Sequence, residues 1–125
     1  MRVLFDANAL MMPLEQGVDL FSEVQALVGA FDPVVPSEVR AELAGLARQQ
    51  GRRGAAARFG LTLAAGCAEE SLGGDKGVDA GISAYALTHD CLVATSDRKL
   101  RHSLLRDGVP VIALRGPRRV TLERR

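Results

Sequence analysis

Short unbroken apolar runs alternate along this chain with segments in which apolar residues recur every three or four positions. Val3, Leu4 and Phe5 form the first run. A continuous β-prone run of this kind predicts a strand buried on both faces, as in a parallel sheet, not a strand with one wet face. Pro13 and Gly17 are expected to bracket a turn, with Met11 and Met12 as packing residues ahead of it. Val18, Leu20, Phe21, Val24, Leu27 and Val28 then recur at helical spacing, which predicts an amphipathic helix over 18–29. The segment 31–36, FDPVVP, is too short and too punctuated by proline for a helix, so Val34 and Val35 are expected to form a brief strand. Ser37 is placed to cap a second helix, with Glu38 in its first turn and Val39, Leu43, Leu46 and Ala47 as its buried stripe.

The glycines of GRRG, 51–54, are expected to break that pattern and expose two arginines on a loop. An alanine-rich helix follows over 55–65, ended by Gly66. A weak strand is expected at 67–72, then a flexible connection through Gly73, Gly74 and Gly77. The GGDKG run in it lacks the spacing of a phosphate-binding P-loop and follows no strong strand. Val78, Ile82, Tyr85 and Ala86 mark another helix with Asp79 near its start. Leu92, Val93 and Ala94 form the clearest buried strand, which runs into Thr95-Ser96-Asp97. A short helix then buries Leu100, Leu104 and Leu105 and carries Arg98, Lys99, Arg101, His102 and Arg106 on its other faces. Gly108 stops it, 109–114 gives a fifth strand, and 115–125 is expected as an edge strand or a basic tail.

Strands alternating with helices over 125 residues predict one α/β domain spanning 1–125. An apolar fraction of 47% and a charged fraction of 25% belong to an ordinary globular chain. No apolar run approaches the roughly 20 residues that span a bilayer, and no signal-peptide pattern opens the chain, so the expected location is the cytoplasm with no membrane partner. Cys67 and Cys91 are isolated, which argues against a disulfide framework or a structural zinc site. Charge is divided along the chain: residues 98–125 carry nine Lys or Arg against Asp107 and Glu123, a balance of +7, and residues 1–97 carry seven against thirteen acids, a balance of −6, giving the net +1. A basic tract beside an acidic part suits a protein that holds both phosphates and a cation. Arginine outnumbers lysine fourteen to two, a bias that phosphate contacts or genome composition would each produce.

Four carboxylates fall at strand ends or helix starts: Asp6, Glu38, Asp79 and Asp97. Each has an ordinary structural role open to it, Asp6 as a turn residue and Glu38 as a first-turn acid favoured by the helix dipole. Brought together, they would raise one another's pKa unless a cation compensated them. Oxygen donors without Cys or His suit Mg²⁺ or Mn²⁺. The carboxyl ends of strands are also where open α/β sheets hold their ligands.

LFDANALMMP, VVPSEVRAEL, VDAGI and VATSDRKLRHSLLRDGVPVIALR together resemble the PIN-domain family of metal-dependent ribonucleases, most closely a small archaeal branch related to the ribosomal-RNA processing factor Fcf1. The resemblance implies a three-layer α/β/α sandwich with a central, mainly parallel sheet. It implies Asp6, Glu38, Asp79 and Asp97 as catalytic and metal-binding acids, Asn8 and Ser96 as polar supports, and Mg²⁺ or Mn²⁺ as cofactor. Arg98, Lys99, Arg101, Arg115, Arg118 and Arg119 would follow an RNA backbone, with homodimerisation and a ribosome-assembly or antitoxin partner as further expectations. Three positions depart from the family pattern: Ala80 where a second aspartate often follows Asp79, Ala7 between Asp6 and Asn8, and Ser96 before the last acid. The function implied is endonucleolytic RNA hydrolysis, in ribosomal-RNA processing or as a toxin. The competing expectations are a catalytically inactive RNA-binding module of the same fold and an aspartyl-phosphate chemistry, which Lys99 fits poorly.

Overall fold

A computed structural model describes residues 1–125. In chain order the elements are β1 (Arg2–Phe5), α1 (Ala7–Gln16), α2 (Leu20–Val28), β2 (Asp32–Val34), α3 (Ser37–Leu46), α4 (Gly51–Ala64), α5 (Val78–His89), β3 (Leu92–Thr95), α6 (Arg98–Arg106), β4 (Val111–Leu114) and β5 (Val120–Glu123). The strands form one sheet in the order β2-β1-β3-β4-β5. The first four are parallel and β5 pairs antiparallel with β4, so the carboxy-terminal segment is an edge strand and not a loose tail. Every residue of β3 and β4 is buried, as the unbroken apolar runs predict for strands covered on both faces.

Strand order places the ligand crevice. From β1 the chain crosses to β2 on one side, whereas from β3 it crosses to β4 on the other. Connections leaving two neighbouring strands in opposite directions open a gap beyond their carboxyl ends. Phe5 is in register with Ala94 there, so the residues that follow each strand emerge side by side.

Several local expectations are corrected. The turn expected between Pro13 and Gly17 is instead the last part of helix α1, which runs over Ala7–Gln16 in spite of Pro13. An internal proline removes a backbone donor and costs about 3 kcal/mol, but Ala9, Leu10, Met11 and Met12 are buried in this helix and offset that cost. GRRG is not a loop either: it forms the first turn of α4. Its Gly54 is there for proximity, since a Cβ at that position would stand 1.8 Å from the Gln49 carbonyl oxygen. Gly60 similarly lets α4 close onto α1, where a Cβ would lie 3.1 Å from the Leu10 carbonyl oxygen. Pro36, not Ser37, occupies the cap position of α3. The segment expected as a weak strand at 67–72 contributes one bridge, Ala68 to Val34.

The core is a continuous cluster running from β1 through α1 to β3 and β4. Phe5, Phe21 and Phe31 pack as a trio, with Phe5 and Phe21 ring centroids 5.1 Å apart in an edge-on arrangement. No helix is long and apolar enough to cross a membrane.

Candidate active site

Asp6 follows β1 directly and caps α1. Its Oδ1 accepts the Ala9 N–H at 2.7 Å, and its Oδ2 accepts the Thr95 hydroxyl. Only 5% of the residue is exposed. Burial pushes its carboxyl up to about 7, and the negative charges of Asp97 and Glu42 add to that; the Thr95 and Ala9 hydrogen bonds pull the other way without prevailing. No Lys or Arg forms an ion pair with it.

Asp97 stands at the equivalent place after β3. Its Oδ1 accepts the Lys99 and Leu100 N–H groups at 2.9 and 3.2 Å, capping α6. Its own N–H donates to Thr95 Oγ1 at 3.0 Å. One threonine hydroxyl therefore ties the two strand-end aspartates together, donating to one and accepting from the backbone of the other. Asp79 comes from the first turn of α5 and Glu42 from the second turn of α3. These four acids and Asn8 line a cleft of about 70 Å³, whose remaining walls are Ala7, Val39, Val78, Ile82 and Leu100. A space of that size admits an ion with a water or two, or a single phosphate group.

The family model for the PIN-like domain matches residues 3–117. The chain belongs to the PIN-like domain family. Among solved structures it is similar to the PIN domain endonuclease Utp24, with a TM-score of 0.77 and 23% identity over 99% of this chain and 92% of that one. At that identity the likeness establishes the shared fold. No curated protein matches the sequence.

Against this PIN-like frame, three of the four predicted acids, Asp6, Asp79 and Asp97, and the predicted support Asn8 share the cleft. Glu38 does not. Its carboxylate turns to the segment after α4, accepting the Leu72 N–H at 3.1 Å and the Ser71 hydroxyl at 3.4 Å, together with the hydroxyl of Ser37. The Leu72 amide leads these contacts in holding the Glu38 carboxyl below its ordinary value. Glu42, one helical turn further along α3, is the glutamate that reaches the cleft. The strand-to-helix junction favours Glu38 on sequence grounds, and Glu42 is passed over because it stands away from that junction. The usable signal is its place three residues after buried Val39, beside the stripe that faces the core. Ser96 is exposed and outside the cleft, and Thr95, which is buried, supplies the polar support expected of it.

The donor set of the PIN-like cleft suits a hard divalent cation: oxygen ligands only, around a buried carboxylate that no cationic side chain compensates. No three His, Cys, Asp or Glu side chains stand close enough to hold an ion among them. The acids thus surround the cleft without converging on one point.

The predicted basic residues divide into two sets. Arg101 donates to Glu123 at 2.8 Å and Arg115 donates to the same carboxylate at 2.5 Å, so both are held by β5. Burial pushes the Glu123 carboxyl up, but the two arginines outweigh it and hold the group below its ordinary value. Arg98, Lys99, Arg118 and Arg119 are exposed and form no ion pair. The first two open α6 next to Asp97, and the other two lie in the turn after β4, whose carboxyl end is on the same side of the sheet as that of β3.

Proposed function

We propose that this PIN-like domain is an endoribonuclease that hydrolyses RNA phosphodiester bonds with Mg²⁺ or Mn²⁺ held by Asp6, Glu42, Asp79 and Asp97. The observation that carries this reading is that four acids and Asn8 line one small cleft at the strand-order reversal, around a carboxyl that burial pushes up to about 7. When bound, the divalent ion supplies a Lewis acid that acidifies a water and offsets charge on the reacting phosphate. The protein's own contribution is orientation. The Ala9 amide and Thr95 hydroxyl fix the two oxygens of Asp6, the α6 amides fix one oxygen of Asp97, and Val39, Ile82 and Leu100 bound the cleft with apolar surface. Arg98, Lys99, Arg118 and Arg119 are assigned to the RNA backbone, which positions a strand without reading its bases. With one tyrosine and four phenylalanines, three of them in the aromatic trio, there is little material for base stacking, so the target is recognised by shape or through a partner.

Ribosomal-RNA processing, as in an archaeal Fcf1-like branch, is the finer role we assign from the sequence resemblance; the likeness to the endonuclease Utp24 supports the nuclease reading through the shared fold. A toxin-type endoribonuclease with an antitoxin partner is its rival, and a homodimer is compatible with either. One observation favours a second reading, an RNA-binding or assembly module with a weak site: no three acids come within reach of a common ion. Incubation of the purified protein with structured and single-stranded RNA, in Mn²⁺ or in EDTA, separates the readings. Cleavage in Mn²⁺ that disappears in EDTA and in Asp6→Asn and Asp79→Asn supports the nuclease; cleavage that survives in both variants sinks it.

A further inference from the structure

Two glutamates one turn apart on α3 face different neighbours, and the one outside the cleft holds the segment that leads into it. Glu42 lines the cleft, whereas Glu38 accepts the Leu72 N–H and the Ser71 hydroxyl. From Leu72 the chain runs through Gly73, Gly74 and Gly77, all with positive φ, before it enters α5. Glycine in such backbone offers little resistance to bending, so the segment cannot set its own course. Nor does a side chain cap α5, whose cap position is Gly77 itself. The side chain of Leu72, by contrast, is seated on α5: a Cβ at Gly81 would lie 3.1 Å from Leu72 Cβ. Leu72 is thus gripped by α3 through its amide and by α5 through its side chain. Asp79 lies two residues before Gly81, on the turn that Leu72 touches.

We propose that Glu38 is a positioning residue for the cleft: by holding Leu72 it sets the first turn of α5, and with it the separation of Asp79 from Glu42. A cavity of about 180 Å³ lined by Glu38, Leu72, Asp75 and Val78 lies beside the cleft, and Val78 borders both. Without the Glu38 contacts there is room for the segment and the α5 start to shift into that space. The inference rests on the cleft reading given above, but not on RNA being its substrate.

Two substitutions separate reach from charge. Glu38→Gln keeps an acceptor for the Leu72 amide, replaces the oxygen that accepts the Ser71 hydroxyl by an NH2 that can donate to it, and loses the negative charge, and Glu38→Asp keeps the charge but is one methylene too short. Amide hydrogen exchange across 71–81 and Mn²⁺ binding, followed by the electron paramagnetic resonance signal of free Mn²⁺, are measured on the full chain. A positioning role predicts that Glu38→Asp speeds exchange at Leu72 and over 78–81 about tenfold and weakens Mn²⁺ binding several-fold, and that Glu38→Gln stays near the wild type in both. Glu42→Gln serves as the contrast: weaker Mn²⁺ binding with exchange over 71–81 unchanged. The proposal is overturned if Glu38→Asp leaves exchange at 78–81 unchanged, or if Glu38→Gln weakens Mn²⁺ binding as much as Glu42→Gln does. A wild-type chain that binds Mn²⁺ without cutting RNA ends the nuclease reading and leaves the positioning role standing. One that binds no Mn²⁺ ends the metal reading, and exchange at 78–81 then decides this proposal alone.

Discussion

Asp6 and Asp97 occupy the same position in the repeated pattern of apolar strand, aspartate and helix, yet their surroundings differ. Asp6 is buried and meets one amide and one hydroxyl, whereas Asp97 is half-exposed and one of its oxygens meets two amides. The first has its carboxyl pushed to about 7 by burial. A shared local motif thus produces one aspartate whose ionisation strains the native state and one whose main local task is to cap a helix. Water access, which neither sequence segment encodes by itself, makes the difference.

The largest test of that contrast is catalytic, and there the two should agree. Asp6→Asn and Asp97→Asn each remove a charge from the cleft while keeping a capping oxygen, and each is expected to lower Mn²⁺-dependent RNA cleavage by about 100-fold or more. A variant that retains wild-type rates removes that aspartate from the site.

In stability the two should part. Asp6 has a native carboxyl at about 7 against an ordinary 3.8, so between these values the folded chain binds more protons than the unfolded one. Stability is therefore full below about pH 4 as far as this group is concerned, and falls as pH rises to about 7. Without divalent ions at pH 8, Asp6→Asn is expected to be more stable than wild type by roughly 1–3 kcal/mol, less than the full shift implies because one carboxylate acceptor is lost. Asp97→Ala loses a cap and is expected to be less stable by ~1 kcal/mol. Urea unfolding in EDTA at pH 5 and pH 8 measures both, and equal effects of the same sign would erase the contrast.

Thr95 joins the two sites, so Thr95→Val is expected to cost about 1–2 kcal/mol and to move the Asp6 carboxyl further up, since that hydroxyl holds it down. Carboxyl-carbon resonance titrations follow the second effect directly. The smallest effect belongs to Glu123→Gln, which weakens the carboxylate's hold on Arg101 and Arg115. It should change stability by less than ~1 kcal/mol while steepening the salt dependence of RNA retention by up to about two phosphate contacts. An unchanged salt slope would mean that the two arginines stay turned away from RNA.

Much of this architecture is written in local pattern. The runs Val3–Phe5 and Leu92–Ala94 announce buried parallel strands, and the aspartates that follow them, Asp6 at once and Asp97 after Thr95 and Ser96, mark the crevice from their place in the chain alone. What depends on distant parts of the chain is not legible in this way. Glu38 and Glu42 lie one turn apart on one helix, and which of them meets the cleft depends on where α3 sits against α1 and on the path of the 71–72 segment. Pro13 and the glycines of GRRG carry breaker signals that tertiary burial and close packing override. Thr95 is the last residue of β3 and is buried with the rest of that strand, whereas Ser96 lies beyond its end and is exposed.

Both borders of the sheet carry features that discourage pairing with another chain. Along β2, Pro33 has no N–H to offer, and Ala68 takes up the edge, donating to the Pro33 carbonyl and accepting the Val35 N–H. At the opposite border β5 is only four residues long, and Arg124 and Arg125 follow it at once. A short strand trailed by like charges is a poor template for another strand. Self-association of this domain by strand addition is thereby discouraged at both borders, and copies that do pair are left to meet through their helices.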